Sequence, residues 1–284
     1  LTRDVIAAFV IFLREGVEGS MIVAILLAYL QRRGLARHFR DVFVGVAAAL
    51  VLTVAGGVVL YLALSRYAGS RVQTYVETST YVVAAASMTA MTFWMRQHAR
   101  TMAAELESRG DQALTTGNRW ALGLLAFQSV GREGLETMVF TLAILFANSH
   151  QSATPQHGGL VLWGGALGLA AALVFALAMY RLGRTVNVKV FFRVLGIALM
   201  LFAAGLLADV VENLQQLGWV TTGSHVLWNS TSVMNESSNV GDVLHSLLGY
   251  AAQPTVLQAL VWLTYLTASV GTFVFLGRRS PSRR

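Results

Sequence analysis

The sequence predicts an all-α polytopic membrane protein: seven transmembrane helices, formed as two inverted three-helix repeats plus a seventh helix, with the N-terminus outside and the C-terminus cytoplasmic. Three observations predict it: the composition, a series of apolar runs of bilayer length, and a short charged motif that occurs twice. Of the 284 residues, 55% are hydrophobic and 12% charged, about half the roughly 25% of charged residues that a soluble domain carries. There is no cysteine, so disulfide frameworks and thiolate metal sites are excluded, and any metal must be held by oxygen or nitrogen.

Apolar runs near 4–30, 42–64, 72–95, 120–147, 159–180, 190–212 and 255–276 each reach the about 20 helical residues that cross a bilayer. They lack the amphipathic stripe of a soluble bundle, and small residues are scattered through them as helix contacts in lipid prefer. The first run is too long for the apolar core of a signal peptide and carries central charges, so it is read as a span. The chain is expected to form one domain, 1–284. Its repeats cover about 1–98 and about 119–216, an external loop about 213–254, and the seventh helix about 255–276.

Orientation follows from the basic residues, which favour the cytoplasmic side. Sixteen of the 21 lie after the first, third and fifth runs or in the tail, for example Arg32, Arg33, Arg37 and Arg40. The net charge of +7 is therefore a topology signal that can also attract anionic lipid headgroups. No nucleic-acid partner is expected. In the external loop, Val240–Leu248 is expected to form a short interfacial helix. His150, His157, His225 and His245 are expected on the outer side, mostly as polar surface.

The charged motif is LREGVEGSMI at 13–22, matched by GREGLETMVF at 131–140, an R-E-G-(V/L)-E core repeated after 118 residues. The first copy lies on an inward-running span and the second on an outward-running one. Inverted repeats with midplane substrate sites recur in transporters. At 100° per residue, Arg14, Glu15 and Glu18 fan over about 100° of one face while Gly16 points away, and Arg132, Glu133, Glu136 and Gly134 repeat the arrangement. Carboxylates three residues apart can reach one ion, and the glycines let a neighbouring helix approach the motif from behind.

Both copies sit near the centre of their spans. An ionised side chain there costs about 2.5–3.5 kcal/mol, so six cost roughly 15–21 kcal/mol uncompensated, against a whole-protein stability of about 5–15 kcal/mol. Pairing each arginine with one glutamate leaves a formal charge of −2. Buried ion pairs are a poor way to gain stability, so the motifs read as a cation site of four carboxylates, Glu15, Glu18, Glu133 and Glu136, with Arg14 and Arg132 supporting them. Oxygen-only ligands favour hard ions but do not separate iron from manganese, magnesium or calcium.

The doubled R-E-G-x-E on spans one and four of a seven-span chain resembles the high-affinity iron permease family, which includes fungal permeases that work with a multicopper ferroxidase and the bacterial Efe-type iron-uptake permeases. Glu77 near the start of span three, the F-W-M at 93–95, and Glu212 with Asp209 late in span six agree with that pattern. The resemblance implies that the four motif glutamates bind iron in transit with Arg14 and Arg132 in support. It also implies that the substrate is ferric iron from an external or periplasmic oxidase or iron-binding protein, although some relatives are proposed to move other metals, lead included. Iron is then the transported substrate and no prosthetic group is expected. The resemblance also points to a bacterial inner membrane, and a homo-oligomer is compatible with the chain.

Glu77, Asp209 and Glu212 are expected to form an entrance that collects cations, the alternative being interfacial carboxylates paired with Arg66 or Arg71. Met88, Met91 and Met95 form a helical stripe read as packing. A proton-linked carrier of ferrous iron, manganese or lead is the alternative transporter. A membrane di-iron enzyme is less supported, because no E-x-x-H pair accompanies the glutamates.

Overall fold

A computed structural model describes residues 2–65, 70–98, 101–115, 120–147, 156–182, 188–231, 244 and 249–278. Among these residues the chain is mostly helical, with turns and irregular segments at 33–35, 217–231 and 249–255 and an isolated bridge between Val226 and Thr255. In chain order the helices are α1 (Thr2–Arg32), α2 (Phe39–Ser65), α3 (Arg71–His98), α4 (Met102–Thr115), α5 (Ala121–Ala147), α6 (Gln156–Leu182), α7 (Val188–Gln216) and α8 (Val256–Arg278). The expected interfacial helix at 240–248 lies outside the described residues, apart from His245's neighbour Leu244.

Four of these helices, α2, α6, α7 and α8, are long and apolar enough to cross a membrane by length and composition. α1, α3 and α5 have the length, at 31, 28 and 27 residues, but not the composition. α1 and α5 carry the three charges of each motif, and α3 opens on Gln73, Thr74, Glu77, Thr78, Ser79 and Thr80. Burial explains how these helices tolerate such residues. Arg14, Glu15, Glu18, Glu77 and Glu133 are all buried among helices, whereas α2 exposes Val51, Leu52, Val54 and Val59 and α6 exposes Leu162 and Trp163. The polar helices lie inside, α2, α6 and α8 lie on the outside, and α7, although apolar, is largely enclosed.

α1 and α5 cross antiparallel. The first third of α1, with Ala7, Ala8 and Ile11, shares an apolar cluster with Phe140 and Ile144 late in α5. The last third, with Ile22, Leu26 and Leu30, clusters with Leu122 and Ala126 at the start of α5. Each motif helix has its own parallel partner, α6 for α1 and α2 for α5, and glycines set the approach. A Cβ added to Gly164 of α6 would stand 2.3 Å from the carbonyl oxygen of Val5, and one on Gly168 2.5 Å from that of Phe9. A Cβ on Gly45 of α2 would stand 2.0 Å from the carbonyl oxygen of Gly123 in α5. The motif glycines do the same: Gly16 meets Ala172 of α6, and Gly134 meets Thr53 of α2.

The contacts at Gly45, Gly164 and Gly168 are against backbone atoms, so no rotamer change can relieve a clash there. Gly45→Ala is expected to remove most folded protein, because overpacking costs about 1–3 kcal/mol even where side chains can shift. Gly271→Ala on α8 meets nothing within 4 Å and should be neutral or slightly stabilising, as alanine is the better helix former by about 1 kcal/mol. The yield of monodisperse protein and its Tm in detergent check both.

α3 and α7 pair antiparallel on the other side of the centre. A Cβ on Gly196 would meet the Thr92 side chain at 2.8 Å, while Tyr75 at the start of α3 contacts Trp219 just past α7, ring centroids 5.5 Å apart. α8 packs against α7. Both α1 and α7 end in the same way. Gly34 and Gly218 take φ of 70° and 74°, and the following residues donate back five positions, Leu35 N to Leu30 O at 2.9 Å and Trp219 N to Leu214 O at 3.0 Å. This is the left-handed glycine stop that leaves last-turn carbonyls satisfied.

The helix α4 is an addition to the expected elements. It falls in the connection after the third run and is too short and charged to register as an apolar run. Its Leu106 joins the apolar cluster at the end of α1, and Gly110 lies under the Tyr29 ring, where a Cβ would stand 3.0 Å from Cε1. The Tyr29 hydroxyl donates to Asp111, Arg33 pairs with the same carboxylate at 2.7 Å, and Arg32 pairs with Glu107. Exposed ion pairs contribute only about 0–1 kcal/mol, so the apolar contact holds α4 and the charges fix its register.

Candidate metal centre

The crossing of α1 and α5 brings the two motifs together between the two apolar clusters. In the first motif, the guanidinium of Arg14 spans both carboxylates of its own helix, Nη1 to Glu15 Oε1 at 2.6 Å and Nε to Glu18 Oε1 at 3.1 Å. All three residues are buried. In the second, Arg132 Nε reaches Glu136 Oε1 at 3.2 Å.

Glu15, Glu133 and Glu136 each offer one oxygen to a group whose members all lie within 4.8 Å of one another. For a hard ion with metal–oxygen distances of about 2.1 Å, oxygens on opposite sides stand about 4.2 Å apart, so a contraction of a few tenths of an ångström would let one ion touch all three. Glu15 Oε2, Glu133 Oε2 and Glu136 Oε2 are buried with no hydrogen-bond donor. Leaving such oxygens unmatched is costly, and a cation is the partner that would satisfy all of them.

Glu18, the fourth expected carboxylate, stands outside the group of three. It is buried and ion-paired with Arg14 Nε at 3.1 Å, one turn beyond Glu15, but neither of its oxygens receives a hydrogen bond. Arg132 differs from Arg14 in being half-exposed. It lies over the Trp94 ring of α3, its guanidinium carbon 5.1 Å from the centroid, and its Nη2 is 3.3 Å from Met91 Sδ. Sequence reasoning missed both α3 partners. Met91 and Trp94 are three residues apart and so share a helix face, a signal that the reading of the methionines as packing set aside.

The three expected entrance residues share one end of the bundle but are not alike. Glu77 is fully buried, with Oε1 accepting from Gln73 Nε2 one turn earlier at 2.6 Å. Glu212 is exposed and receives two amides, Gln216 Nε2 at 3.1 Å and Gln258 Nε2 of α8 at 3.2 Å. Asp209 is half-buried on α7. Of the outer histidines, His225 is exposed, and its carbonyl accepts from Val256 N at 3.0 Å at the start of α8. His150, and the side chains of His157 and His245, lie outside the described residues.

Comparison with known proteins bears on this arrangement. The model of the iron permease FTR1 family matches residues 5–279. The ferrous iron permease EfeU of Escherichia coli O6:K15:H31 (strain 536 / UPEC) is 31% identical over 271 residues, 94% of this chain and 94% of the relative. That of Yersinia pestis is 32% identical over 277 residues, 96% of this chain and 94% of the relative. No solved structure matches the chain. These relatives are permeases rather than enzymes, and the apolar helices agree with a multi-pass protein of the membrane. A doubled R-E-G-x-E on two crossing helices, in a chain similar to such permeases over almost its whole length, belongs to the iron permease FTR1 family.

Proposed function

We propose that iron enters the cytoplasm through the crossing of α1 and α5, held in transit by Glu15, Glu133 and Glu136. Arg14 and Glu18 form the fixed pair beside the ion, and Arg132 limits the residual charge. The observation that carries this reading is the convergence of three carboxylates from two antiparallel helices, Glu15 and Glu133 buried and Glu136 partly so, each with a buried oxygen that has no donor. In this reading α1–α3 and α5–α7 are inverted halves and α8 is accessory. The antiparallel crossing and the exchange of glycine-lined partners, α6 for α1 and α2 for α5, support it. Glu77, Asp209 and Glu212 are proposed as the approach to the site.

Two arginines and four glutamates sum to −2, which a divalent ion neutralises. That balance favours ferrous iron during passage, the ion for which the Escherichia coli and Yersinia pestis relatives are named. An all-oxygen ligand set is hard, which favours the second reading, ferric iron loaded by an external oxidase or iron-binding protein. Proteoliposomes loaded with a metal indicator, given ferrous iron under reductant, ferric citrate, manganese or lead, with and without a pH gradient, separate these readings. Saturable iron entry is expected; entry of manganese or lead with no iron entry would overturn the assignment.

A further inference from the structure

The two copies of the motif share the R-E-G-x-E pattern but have unequal arginines. Arg14 is locked: its side chain is 3% exposed and its ion pairs are both within α1. Moving it would strand a buried guanidinium and two carboxylates. Arg132 is held loosely, with 51% of its side chain exposed and one carboxylate at 3.2 Å. Its other contacts are the face of Trp94 and the sulfur of Met91. Neither carries a negative charge, and the face of tryptophan is the best aromatic seat for a cation. The indole is itself braced, stacked on His98 with centroids 4.9 Å apart and planes 13° apart.

We propose that Arg132 is the movable charge of the site and that Trp94 is the residue that positions it. When an ion takes the Glu136 carboxylate, the guanidinium lets go of that oxygen and is held by the indole it already overlies; when the ion leaves, it takes up Glu136 again and neutralises the emptied site. Arg14 stays fixed in both states. The inference rests on the proposed transit site, and it adds which arginine exchanges with the cargo and what receives it.

The consequence is a competition between Arg132 and the ion for Glu136, biased by Trp94. Trp94→Leu removes the seat, so Arg132 should hold Glu136 more tightly and the KM for ferrous iron should rise by about 5- to 30-fold, the range that a desolvated cation–π contact supports. Trp94→Phe keeps a ring face and should recover most of the affinity. Site-specific fluorination of Trp94 keeps the shape while draining negative potential from the ring, so KM should climb with each added fluorine even if Trp94→Leu fails to fold. In an Arg132→Gln background the dependence on Trp94 should vanish. All arms use the full chain in proteoliposomes with ferrous iron under reductant. A flat KM across the fluorinated series, or the same loss in the Arg132→Gln background, would overturn the proposal while wild-type iron entry persists. If the wild-type chain moves no iron, the transit reading fails instead.

Discussion

Glu15→Ala is expected to abolish iron entry, lowering the initial rate in proteoliposomes by at least about 100-fold, which corresponds to the loss of about 2.7 kcal/mol of interaction with the ion. Glu15 supplies one of three converging oxygens and is the only one of the three on α1, so without it the ion would be held by α5 alone. The variant should still fold, because Arg14 keeps Glu18 at 3.1 Å. Glu18→Gln provides the contrast. It removes a charge from the Arg14 pair and leaves the three converging oxygens in place. Breaking a buried pair costs about 3–5 kcal/mol, so thermal stability should fall more than iron affinity does. Flux and detergent Tm, measured together on both variants, check the division of labour. Equal losses of flux with unchanged Tm would mean that Glu18 is a ligand of the same standing as Glu15.

Arg14→Lys should be the second most damaging change, although it keeps the charge. The guanidinium meets Glu15 through Nη1 and Glu18 through Nε at the same time, and a lysine ammonium is one point on a flexible stem that cannot span both. One carboxylate would be left in an apolar surround, and a fall of about 10-fold or more in entry rate is expected together with a lower Tm. Arg132→Lys has one carboxylate to satisfy and more exposure, so its folded state should be far less affected. The same pair of measurements on the two lysine variants tests whether identical motifs have become unequal. Matching Tm losses would argue that they have not.

Much of this was legible in the sequence. The helices follow from apolar runs whose only low-energy arrangement in lipid closes every backbone hydrogen bond locally. The strangeness of the doubled motif follows from the cost of six charges in such runs. That Gly16 and Gly134 would admit a helix behind each motif follows from helical geometry, and α6 and α2 are the helices admitted. The apolar runs did not reveal α4, whose 14 residues are amphipathic and become a helix because Tyr29 and its neighbours at the end of α1 give their apolar side a seat.

The sequence by itself determined the solvent in which the chain folds, the helices other than α4, and the presence of more negative than positive charge in the middle of two of them, because these depend on composition and on periodicity within one helix. Only the tertiary structure decided that Glu15 meets Glu133 and Glu136 while Glu18 stays with Arg14. It also decided that Glu77 is buried rather than at a surface and that Arg132, unlike Arg14, rests on Trp94 of a third helix. The physical reason is that such meetings depend on where α1 and α5 cross and on what α3 presents to them. Spacing along one chain fixes which side chains share a face, not which faces come together.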